Sequence, residues 1–151
     1  MPEATAQQVA TYKNFIGGEW RDSQGGAFEV RSPANGELLY RAQRSTVEDA
    51  HAAIRAAREA FESTEWREDT AVRTAALTKF SDAVRARHQE LATQLTRESG
   101  KPFPISRGEA LRLAETVSYY AGLTRWIFGR SQIPQPNSIS MIMREPVGVV
   151  A

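Results

Sequence analysis

A chain of 151 residues with 41% hydrophobic and 25% charged side chains is long enough for one domain with a single core, and too apolar for the disordered class. Its 19 basic and 18 acidic residues leave a formal charge of +1, so no net field favours a nucleic-acid backbone or an anionic membrane surface. There is no cysteine and there are two histidines, His51 and His88, which excludes a disulfide framework, a thiol nucleophile and a zinc cluster within these residues.

No apolar run approaches the roughly 20 residues of a membrane span, and Met1 to Tyr12 carries no signal-peptide or transit pattern, so the expected location is cytoplasmic. Residues 1–11 are polar and alanine-rich without a period, and are expected to be a flexible terminus. Tyr12 to Arg21 then sets aromatic and β-branched residues on both sides of Gly17-Gly18, the signature of a tight hairpin. Gly25-Gly26 turns the chain again, Phe28 and Val30 alternate with Glu29 and Arg31, and Ser32-Pro33-Ala34-Asn35-Gly36-Glu37 supplies turn chemistry before a strand at Leu38-Leu39-Tyr40. This part reads as a small β-meander.

Ser45-Thr46-Val47-Glu48 has the form of a capping box. Val47, Ala50, Ile54, Ala57 and Phe61 follow at helical spacing and predict the buried face of a first helix. His51 lies beside that stripe with no second donor near it in sequence and reads as a helix-surface residue. A second helix is predicted after Trp66-Arg67, with Asp69 and Thr70 as candidate caps and Val72, Ala76, Phe80 and Ala83 along its face. A third carries Leu91 and Leu95 and stops at Gly100-Lys101-Pro102; this Gly-Lys lacks the first glycine and the following Ser/Thr of a phosphate loop. Ser106-Arg107-Gly108-Glu109 has the form of a second capping box, and Ala110, Ala114, Val117, Ala121 and Thr124 predict a fourth helix running to Gly129. Its aromatic residues Tyr119, Tyr120 and Trp126 read as core in preference to a base-stacking platform. Arg107, Arg112 and Arg125, interleaved with Glu109 and Glu115, read as a solvated face.

Pro134 and Pro136 make an extended arm. In the strand predicted over residues 138–143, Ile139, Met141 and Met143 alternate with Ser138, Ser140 and Ile142, which leaves apolar groups on both faces and calls for a partner strand, with another subunit as a candidate. Pro146 then opens the β-branched run Val147-Gly148-Val149-Val150-Ala151, the pattern of a strand entering a sheet.

Six segments occur in one order: Asn14-Phe15-Ile16-Gly17-Gly18-Glu19-Trp20, Ser32-Pro33-Ala34-Asn35-Gly36-Glu37, the helix from Val47 to Phe61, Glu98-Ser99-Gly100-Lys101-Pro102, Tyr119-Tyr120-Ala121-Gly122 and Arg144-Glu145-Pro146-Val147-Gly148-Val149. Together they resemble the N-terminal segment of the NAD(P)-dependent aldehyde dehydrogenase superfamily; Ser32 stands where many members have asparagine. The resemblance implies an α/β fold: the N-terminal part of a Rossmann-type cofactor domain, mostly helical with an N-terminal β-meander and a bridging strand, truncated at the first sheet strand. Residues 12–133 would be the outer layer of that domain, 134–145 an oligomerisation or bridging strand, and 146–151 the start of the Rossmann sheet.

The resemblance also implies a parent protein that oxidises an aldehyde to a carboxylic acid with NAD or NADP. In the family a cysteine thiolate attacks the aldehyde, a glutamate activates water, and an asparagine side chain with a backbone N–H holds the oxyanion. None of those positions falls within this chain, so the 151 residues alone are expected to be inactive and to bind no cofactor. Some members hold a monovalent cation through backbone carbonyls and an acidic side chain at positions that correspond here to Val30, Arg31 and Glu98. The implied partners are a small aldehyde and further copies of the same chain, with neither nucleic acid nor membrane. The competing expectation is a free-standing helical interaction module that pairs through its 138–143 strand.

Overall fold

The computed structural model describes residues 9–150. The chain divides into two units, one built from the chain up to Ala57 together with His88–Ala110, the other from Arg58–Arg87 together with the chain from Leu111 onward.

In the first unit the predicted meander resolves into two small sheets. β2 (Asn14–Ile16) and β3 (Glu19–Arg21) form the hairpin expected around Gly17-Gly18, and both glycines have positive φ, 62° and 85°, as a two-residue turn of matching twist requires. Phe15 and Trp20 face each other across it, ring centres 5.0 Å apart. The second sheet has the order β1-β5-β4. β4 (Ala27–Arg31) and β5 (Leu38–Gln43) pair antiparallel with a register shift between Val30 and Arg31, while β1 (Thr11–Tyr12) joins β5 in parallel. Ala10 and Thr11, placed in the expected flexible terminus, therefore belong to this sheet: Arg41 N–H donates to the Ala10 carbonyl at 2.9 Å. Residues 1–8 of that expected terminus lie outside the described residues.

α1 (Val47–Ser63) starts where predicted, but its cap is displaced by one residue. Thr46, not Ser45, forms the reciprocal box: Asp49 N–H donates to Thr46 Oγ1 at 3.2 Å and Thr46 N–H donates to Asp49 Oδ2 at 2.8 Å. Ser45 Oγ is engaged elsewhere, donating to Asn14 Oδ1. The helix is also turned from its predicted face. Val47, Ala50, Ile54 and Ala57 are exposed, and Asp49, Ala52 and Ala56 are the more covered side. Small residues take that side because the hairpin turn comes close; a Cβ built on Gly17 would lie 3.7 Å from the Ala56 Cβ.

α2 (Thr70–Ala86) is capped as predicted, with Ala71 N–H donating to Asp69 Oδ1 at 2.6 Å. Its covered face is Thr74, Leu77, Ser81 and Val84 in place of Ala76, Phe80 and Ala83. Two polar residues can turn inward because each has a partner on α4 (Phe103–Leu123) or just past its end: Ser81 Oγ donates to the Ala114 carbonyl at 2.7 Å, and the Thr74 and Thr124 hydroxyls bond each other.

α3 (His88–Ser99) ends as predicted at Gly100, whose φ of 72° and N–H bond to the Thr96 carbonyl make the left-handed cap. α4 keeps the predicted face, with Ala110, Ala114 and Ala121 buried. The second capping box does not form, because α4 begins earlier, at Phe103, with Pro104 in its first turn. Ser106 is inside the helix and fully buried, where it accepts from Thr96 Oγ1 at 2.9 Å, and Glu109 pairs with Lys101. α4 ends at Leu123, six residues before Gly129. Tyr119, Tyr120 and Trp126 are exposed and not core, since alanine supplies the helix's packed stripe.

The expected partner for the arm strand is in the chain itself: β7 (Ser140–Ile142) pairs antiparallel with β6 (Arg130–Gln132). Gly129 is required at its mouth, as a Cβ there would meet the Ile142 carbonyl oxygen at 2.2 Å. Residues 146–150, expected as a strand, have no regular structure and no ladder partner among the described residues; a single strand without a neighbour has nothing to satisfy its backbone.

Candidate functional site

The residues singled out as cation ligands lie in the first unit. Val30 and Arg31 are the last two residues of β4, and Glu98 is in the final turn of α3. They are linked through a residue that was not singled out. Tyr40 stands directly opposite Val30 in the β4–β5 ladder, and its hydroxyl donates to Glu98 Oε1 at 2.6 Å across 58 positions of sequence. Gln94, one helical turn before Glu98, donates its side-chain amide to the same oxygen. The Tyr40 phenol is pushed up to about 12 by its bond to the carboxylate, with burial and the Glu98 charge adding to the effect. It therefore remains a donor throughout the physiological range. Arg31 points its charge elsewhere, to Glu29 at 2.6 Å and to the Gly36 carbonyl at 3.0 Å.

Tyr40 and Tyr12 meet edge to face, ring centres 4.9 Å apart, and line a cleft of about 440 Å³ together with Leu91, Gln94 and Glu98. The sequence held a signal for Tyr40: alternation in β5 sets Tyr40 and Ala42 on one face, opposite Val30 and Phe28. What it could not show was which helix that face meets.

The second unit has a larger cleft, about 720 Å³, with Trp66, Arg73, Arg125, Arg144 and Val147 in its lining. The turn before α2 is pinned there by Arg73, which donates to the carbonyls of Trp66 and Arg67 at 2.6 and 2.9 Å. The same unit carries a run of uncovered apolar side chains: Trp126, Ile127 and Phe128 before β6, Ile139, Met141 and Met143 on the arm, and Val147, which is 92% exposed. Among the described residues there is no group of three or more acidic or histidine side chains able to hold a metal, and no helix is long and apolar enough to cross a membrane.

The chain belongs to the aldehyde dehydrogenase family, whose profile matches residues 20–151. It is 35% identical over 150 residues to malonate-semialdehyde dehydrogenase 1 of Geobacillus kaustophilus, covering 97% of this chain and 30% of that protein. It is 39% identical over 145 residues to the alpha-ketoglutaric semialdehyde dehydrogenase of Bacillus subtilis, covering 93% of this chain and 29% of that protein. The crystal structure of an NAD-dependent aldehyde dehydrogenase from Sinorhizobium meliloti superposes with a TM-score of 0.87 at 30% identity, over 92% of this chain and 28% of that one. The fold is thus part of the α/β aldehyde dehydrogenase fold, and the chain spans about 30% of the length of the curated relatives it matches.

Proposed function

We propose that this chain is the N-terminal portion of a cytoplasmic aldehyde dehydrogenase that oxidises an aldehyde to a carboxylic acid with NAD or NADP, and that it contributes scaffold and no reacting group. The observation that carries the reading is the uncovered apolar surface of the second unit together with the match to family members of which it spans under a third. Residues 12–133 would form the outer layer of the cofactor domain, residues 134–145 a bridging arm that joins copies in a homo-oligomer, and residues 146–151 the first strand of the cofactor sheet. On this reading the exposed Val47 and Ile54 of α1 in the first unit, and the exposed Val147 and Val150 in the second, are covered by later parts of the parent protein.

The two semialdehyde-oxidising relatives make an aldehyde bearing a carboxylate the first substrate class to try. The natural protein is expected to reduce NAD or NADP only when an aldehyde is present, and the 151 residues alone are expected to give no turnover, having no thiol to attack the carbonyl. Reproducible turnover from the 151 residues, verified by mass, would overturn the placement of the chemistry outside them. A second reading, a free-standing module that pairs through residues 138–143, draws on the apolar Ile139, Met141, Ile142 and Met143 exposed around β7. It predicts a small natural product with a protein partner and no aldehyde-dependent activity.

A further inference from the structure

A monovalent cation at Glu98 would need the carboxylate and the Val30 and Arg31 carbonyls to turn lone pairs toward one point, because hard cations are held by converging oxygens. Glu98 is met by donors. The Tyr40 hydroxyl and the Gln94 amide both point hydrogens at Oε1, and a hydroxyl that donates a hydrogen bond to a carboxylate places there the positive partial charge that a cation would otherwise supply. The ladder explains why it is Tyr40 that reaches: it is the residue opposite Val30, so the side chain beside the would-be carbonyl ligand is the one that spans from β5 to α3. The guanidinium groups of the neighbouring residues are engaged elsewhere, Arg31 with Glu29 at 2.6 Å and Arg97 with Glu37 at 3.7 Å.

We propose that in this protein Tyr40 takes the place of the monovalent cation: its hydroxyl, with the Gln94 side chain, satisfies Glu98 and fastens β5 to α3, so the fold here requires neither potassium nor sodium. Tyr40 is then a positioning residue, and removing its hydroxyl leaves a carboxylate that a cation can occupy. The inference stands apart from the aldehyde reading, because its test follows unfolding and not turnover.

The test is the thermal midpoint of the natural full-length product in potassium chloride, sodium chloride and choline chloride at equal ionic strength, which holds screening constant. The wild-type midpoint is expected to be the same in all three. Tyr40→Phe is expected to melt lower in choline chloride and to recover at least half of that loss in potassium or sodium. Glu98→Gln, which removes the charge, is expected to melt alike in every salt. A wild-type midpoint that climbs saturably with potassium by more than about 2 °C would overturn the proposal, since a cation would then bind beside Tyr40. Tyr40→Phe melting lower without discriminating among the salts would overturn it too. Should that variant fail to fold, the wild-type comparison decides alone.

Discussion

The two units are built from the same chain by opposite means. The first is tied by polar side chains acting across the sequence: the Ser23 hydroxyl lies 2.6 Å from Asp49 Oδ2 and 2.7 Å from the Arg44 carbonyl oxygen, sharing its one hydrogen between them, Tyr40 reaches Glu98, and Thr96 donates to the buried Ser106. The second is tied by Ser81 to α4 and by Thr74 to Thr124 just past that helix, yet it displays Trp126, Ile127, Phe128, Ile133, Met141, Met143 and Val147 to solvent. Directional bonds give the first unit one register, although it too leaves Phe15, Trp20, Val47 and Ile54 exposed; in the second the exposed apolar side chains are concentrated between Trp126 and Val150. On the proposed reading, the second unit is the part that most needs cover from the rest of the parent protein.

The sharpest way to break this contrast is to make the second unit soluble on its own terms. The isolated chain is expected to self-associate through its arm, because an apolar strand with open backbone donors recruits another edge. Light scattering should give at least twice the monomer mass at high concentration, and Met141→Lys with Met143→Lys should restore the monomer. A compact wild-type monomer would count against the contrast.

Next in size is the packed stripe of α4. Ala114 is fully buried, so Ala114→Leu should lower stability by about 1–3 kcal/mol in urea titration through overpacking; a neutral result would mean that the stripe is loosely filled. In the first unit, Gly100 holds a φ of 72° with Pro33 Cγ only 3.1 Å from where a Cβ would sit. Gly100→Ala should therefore cost about 1–2 kcal/mol for the left-handed backbone, and an unchanged midpoint would show that the α3 terminus can relax.

The smallest effect is a pH dependence. The bond from Ser23, followed by those from Thr46, holds the Asp49 carboxyl below the usual carboxylate range. A depressed folded-state value adds stability that is present above the unfolded value of roughly 4 and is lost as pH falls through the folded one. The stability difference between wild type and Asp49→Asn should be constant near neutrality and shrink on acidification below about pH 4. A difference that persists at low pH would assign the contribution to hydrogen bonding without charge.

Local chemistry made much of this legible in the sequence. Gly17-Gly18 announced a hairpin because only glycine takes two successive positive φ values cheaply, Asp69 announced its cap, and Gly100 with Pro102 announced the end of α3. The pairing of β1 with β5 could not be read, because parallel contact is set by the whole sheet and not by neighbouring residues. The covered face of α2 was misread for a definite reason: a count of apolar residues passes over Thr74 and Ser81, which turn inward because α4 and Thr124 just past it offer them partners. The capping box at Ser45 failed by one position because Asn14, 31 residues away, takes the Ser45 hydroxyl. Glu98 was singled out only through the family resemblance, by its place before Gly100-Lys101, whereas Tyr40, which meets it in space, stood in a strand with no motif around it.

The central claim is that these residues are the scaffold end of a larger aldehyde-oxidising protein, and the intact mass of the natural product, captured with an antibody raised against this segment, tests it most directly. A mass well above 16.8 kDa, with aldehyde-dependent NAD(P)H formation in the captured material, is the predicted result. A mass of 16.8 kDa would contradict it, and the uncovered arm would then belong to a module that works by binding.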